Sequence, residues 1–99
     1  MEYYDLLKVI AVTKSCKLRI KTLFSDYDLF DEHDLSTLCN YYVSLQSLEA
    51  VFEDYFYKNQ NNLDKKIENK DFLETILSYI QICAYLEKEV NNFISTEVN

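Results

Sequence analysis

The chain has no glycine and no proline in 99 residues, where average usage would supply about twelve of the two together. Glycine is the usual source of positive φ and proline a common stop signal. Tight hairpin turns, nucleophile elbows, P-loops and dinucleotide fingerprints therefore lose their normal chemistry here. Long hydrophobic runs are also missing: no uncharged run approaches the eighteen or so apolar residues of a membrane span. The start Met1-Glu2-Tyr3-Tyr4-Asp5 lacks the basic residues of a signal peptide, so a cytoplasmic location and no membrane partner are expected. Cys16, Cys39 and Cys83 are odd in number and widely spaced, which fits neither a disulfide framework nor a CxxC metal pair. They read as buried, reduced thiols.

What the chain does have is apolar bulk, 48 % of residues with 15 % aromatic. That content argues for a folded domain despite a net charge of −7, because disordered acidic chains are poor in large apolar residues. The length suits one domain over residues 1–99. The expected fold is all-α, a small antiparallel bundle of three long helices with room for a short fourth in a connector.

Apolar spacing locates the helices. Leu6, Val9, Thr13, Cys16, Ile20 and Leu23 mark a first helix over about 3–24. Leu38, Tyr41, Leu45, Leu48, Phe52 and Tyr55, widened by Tyr42, Val51 and Phe56, mark a second over 35–57. Phe72, Ile76, Tyr79, Cys83, Leu86, Val90 and Phe93 mark a third over 72–95, with Asp71 and Glu74 in capping-box spacing. Between the first two, Ser25 and Asp28 resemble a cap, and Asp31 or Asp34 suits the N-cap of the second helix. The cluster Lys58-Asn59-Gln60-Asn61-Asn62 ends that helix, and an asparagine is expected in the left-handed conformation there. Leu63 to Lys70 reads as a short helix or a bent extension of the third.

Charge is segregated along the chain. Residues 1–24 carry a net +3, residues 25–57 a net −8 with no base, and residues 58–99 a net −2. Asp26, Asp28, Asp31, Glu32 and Asp34 lie within nine residues, interleaved with Tyr27, Leu29 and Phe30. A second acidic group, Glu49, Glu53 and Asp54, precedes Tyr57. Such a block can cap the second helix and favour its dipole while Leu29 and Phe30 close the bundle end. It can equally form a surface in which charge speeds encounter with a basic protein and aromatics act as anchors. The partner-binding candidates are therefore Asp26, Tyr27, Asp28, Phe30, Asp31, Glu32, Asp34, Glu49, Glu53, Asp54 and Tyr57. Nine tyrosines, several adjacent, cannot all face one core, so some are expected on the surface.

No catalytic constellation emerges. The one histidine, His33, sits among Asp31, Glu32 and Asp34 and reads as connector chemistry, so no metal, cofactor or enzymatic activity is expected. Lys14, Lys17 and Lys21 share one side of the first helix, but a chain with pI near 4.5 is repelled by nucleic acid. Those lysines can instead partner the acidic block. Size, acidity and the lack of catalytic groups resemble small acidic antitoxins and anti-defence proteins in general character, without a shared motif. The expectation is a binder that neutralises a basic partner, such as a nuclease toxin or another nucleic-acid enzyme, in one form by mimicking DNA. The alternative is a homodimeric helical adaptor or regulatory protein whose second helix, with its wide apolar surface, is covered by a second copy.

Overall fold

Three helices form where the apolar repeat places them. The computed structural model describes residues 1–25 and 30–97, with side chains to Ser95, so Asp28 of the expected Ser25–Asp28 cap and Leu29 lie outside the described residues. Helix α1 spans Leu6–Phe24, α2 Glu32–Lys58 and α3 Lys70–Glu97. They pack against one another and, among the described residues, no strand forms. The result is a rod of 47 × 20 × 19 Å, as expected when helices of 27 and 28 residues each run about 40 Å.

Side-chain caps replace the missing glycines and prolines at the helix ends. Asp31 is the N-cap of α2, its Oδ1 accepting the Asp34 N–H at 2.8 Å, so the helix begins three residues earlier than the apolar repeat suggests. The C-terminal cap corrects the expected left-handed asparagine: no described residue has positive φ. Instead Asn59, at φ −120°, donates its N–H to the Phe56 carbonyl and its Nδ2 to the Tyr55 carbonyl at 2.8 Å. Helix α3 is capped by Asn69, whose Oδ1 accepts the Phe72 N–H at 3.0 Å. The expected capping box of Asp71 and Glu74 is thus displaced, because the helix starts at Lys70 and leaves Asp71 in its first turn.

The segment before α3 is not helical. After a 3-10 turn at Gln60–Asn62, the chain runs antiparallel to the N-terminus, with a single bridge between Glu2 and Lys66. Tyr3 and Tyr4 donate to the carbonyls of Lys65 and Leu63, and Ile67 donates to that of Met1. This clasp buries Ile67 against the core.

The core takes Leu6, Ile10, Cys16 and Ile20 from α1, Leu38, Leu45, Leu48 and Phe52 from α2, and Ile76, Cys83, Leu86 and Val90 from α3. Thr13 lies fully buried in the α1 stripe because its hydroxyl donates to the Ile10 carbonyl at 2.7 Å. Tyr41, Tyr42, Tyr55 and Phe56 pack half-buried against this core. The wide apolar face of α2 is thus engaged in part within one chain. Cys39 is exposed, a correction to the expectation that all three thiols are buried.

Candidate functional site

The fold separates the candidate partner-binding residues into three groups. Asp26, Tyr27 and Asp28 lie outside the described residues. Near them, Phe30 is buried, its ring 5.6 Å from that of Phe93 on α3, and it closes this end of the bundle. Asp31 and Glu32 are exposed and Asp34 half-exposed. None of these three acids is in an ion pair with a described residue.

The second group faces inward. Glu49 is buried, accepting from Lys17 Nζ at 2.6 Å with Lys14 at 3.8 Å. Glu53 takes the other contact of Lys14, at 3.3 Å. The basic side of α1 and the acidic side of α2 thus neutralise one another across their shared seam, and Lys17 also lies 5.4 Å from the centre of the Tyr42 ring. Two of the three lysines that could have contacted phosphate are engaged in this seam.

Asp54 and Tyr57 form the third group, at the far end of α2. Asp54 pairs with Lys58 at 2.9 Å, and this hydrogen bond raises the lysine's pKa. Tyr57 is exposed, edge-on to Phe56. Glu32 and Tyr57 are about 38 Å apart along the helix, more than the span of about 800 Å² that a typical partner covers. The two ends of α2 belong to different surfaces.

One feature lies at the margin of the main apolar stripes, sharing only Val9 and Cys83 with them. Between α1 and α3 runs an apolar groove of about 250 Å³, lined by Val9, Val12, Ile80 and Ala84, with Lys8 and Glu87 at its edges and Cys83 in its floor. The signal was present: Leu73, Leu77, Ile80 and Ala84 recur at steps of four, three and four beside the main stripe of α3. Burial pushes the Cys83 thiol up to about 11, helped by the neighbouring Cys16 and Glu87. Cys16 is raised by burial too, partly offset by Arg19. On the opposite flank of α3, burial raises the Tyr41 hydroxyl, with Glu89 adding to it. His33 is exposed, and no group of three or more metal-binding side chains occurs among the described residues. No described helix is long and apolar enough to cross a membrane. Comparison of the chain with protein-family models, curated proteins and solved structures returns no match.

Proposed function

We propose that this protein is a small acidic binding protein that neutralises a basic protein partner, in the manner of an immunity protein, antitoxin or inhibitor, through the end of the bundle where α2 begins. The observation that carries this reading is the unequal distribution of compensated charge. Lys14, Lys17 and Arg19 of α1 are each in an ion pair, which leaves Lys21, in its last turn, as the one base of that end of the helix outside an ion pair with a described residue. There Asp31, Glu32 and Asp34 stand without a cationic partner among the described residues, adjoining Asp26 and Asp28 in sequence. An uncompensated cluster of one sign steers a partner of the other sign and accelerates encounter. A nuclease or other nucleic-acid enzyme carries the kind of basic surface that such a cluster fits.

The test is a capture from lysate at low salt, followed by kinetics on the isolated partner. A basic partner is expected. Asp26→Asn, Asp28→Asn, Asp31→Asn and Glu32→Gln together should slow association about tenfold or more and flatten its salt dependence. The fold survives these changes because asparagine caps a helix as well as aspartate does. An acidic partner, or association unaffected by the four changes, would overturn the proposal.

A further inference from the structure

The groove between α1 and α3 has apolar walls and ends of opposite charge. Helices α1 and α3 run in the same direction and in step: Tyr3 meets Phe72 near their starts, with ring centres 6.1 Å apart, and Arg19 reaches Glu87 farther along, at 3.6 Å. Counting between those contacts puts Lys8 level with Leu77 and Val12 level with Ile80 and Gln81. Lys8 and Glu87 then lie about 15 Å apart along the groove, on opposite walls. Val12, between them, is 38 % exposed and Leu77, level with Lys8, 43 %, and Ala84 leaves room for close approach.

We propose that this groove is the contact face of a two-fold symmetric dimer. A two-fold axis in the contact plane, crossing the groove near Val12, turns the second copy end for end. With the oblique crossing that helix packing favours, Lys8 of each copy reaches Glu87 of the other while the apolar walls close together. The face is self-complementary in charge, and the occupant it fits is therefore a second copy. It also differs from the rest of this acidic chain: Lys8 and Arg19 offset Asp5 and Glu87, so two molecules of net charge −7 can meet on a face that itself carries no net charge. Lys8, with 72 % of its side chain exposed, has only a loose contact of 3.8 Å to Asp5 and is free to reach across. This inference does not rest on the acidic surface at the start of α2, which stays uncovered in the dimer.

Charge complementation tests the arrangement. Sedimentation equilibrium of the unaltered protein is expected to give twice the chain mass of 11.8 kDa. Lys8→Glu places like charges at both ends of the contact, as does Glu87→Lys, and each alone should weaken dimerisation about tenfold or more. Mixing the two variants sets a carboxylate against an ammonium group at both ends of the contact again, with the signs exchanged at one of them, and the mixture should dimerise. Val12→Lys, an exposed-edge change that spares the fold, should give a monomer with an unchanged far-UV spectrum. A monomeric mass for the unaltered protein up to about 1 mM would overturn the proposal. So would a dimer indifferent to Val12→Lys, or two folded charge variants that fail to recover on mixing. A monomer would leave the acidic-surface reading untouched.

Discussion

Lys17 Nζ donates to Glu49 Oε2 at 2.6 Å across the α1–α2 seam, with 17 % and 12 % of the two side chains exposed. The chain's most basic segment is thereby held against its most acidic one. A shielded pair of this kind contributes less to net stability than to register, because either charge left alone is costly. Lys14 reaches both Glu49 and Glu53, so three contacts join α1 to α2 at this level of the seam.

Removing the lysine alone should therefore be costly. Lys17→Met is expected to lower unfolding free energy by about 3 kcal/mol, the low end for a broken buried pair because Lys14 remains near. Lys17→Met with Glu49→Leu should recover most of that loss. Urea denaturation of the four-member cycle reads the coupling, and additive effects would show that the pair does not act as a unit.

The thiols should divide by burial. At pH 8 Cys39 should react promptly with a thiol reagent, while Cys16 and Cys83 should react only after denaturant is added. The raised Cys83 pKa carries a linked effect. In the unfolded chain this thiol ionises near 9.0, and in the folded chain near 11. Between those values the unfolded state binds fewer protons, so stability should fall as pH rises from about 9 to about 11. Cys83→Ala should reduce that slope in urea melts taken at pH 8 and pH 10.5.

The caps differ in weight from what the sequence spacing implies. Asn69→Ala should cost about 1 kcal/mol, whereas Glu74→Ala should be close to neutral. Equal losses would restore the capping box to the start of α3.

Phe30→Ala separates closure of the bundle from partner contact. With its ring against Phe93, the truncation should lower stability by about 3 kcal/mol, visible as a lower melting temperature. Partner dissociation measured well below that temperature should not change. A faster dissociation with an unaltered melting temperature would make Phe30 an anchor.

The helices are legible in the sequence because period-3.6 burial is a property of each segment by itself. Leu45, Phe52, Ile76 and Val90 are buried where their spacing puts them. The places that spacing misreads depend on another segment. Val9 falls in the core stripe by spacing, yet Ile10 is the more buried because α2 covers that side of α1 and the groove opens on the other. Glu49 has the sequence context of free surface, and only the docking of α1 places Lys17 over it. The residues from Leu63 to Ile67 carry no strand signal, since their hydrogen bonds go to Met1, Tyr3 and Tyr4, some sixty positions away. Asn59 and Asn69 cap through their side chains, a role that composition suggests only as backbone conformation.

That clasp also orders the events of folding. Contacts within α1 and α2 close short loops and form early, whereas joining Met1–Tyr4 to Leu63–Ile67 first requires α2 to fold back along α1. It belongs to the late part of the reaction. A weakened clasp, as in Ile67→Ala, should accelerate unfolding and leave the refolding rate nearly untouched. In hydrogen exchange the amides of Tyr3, Tyr4 and Ile67 should open together, ahead of the helix centres, as one cooperative unit.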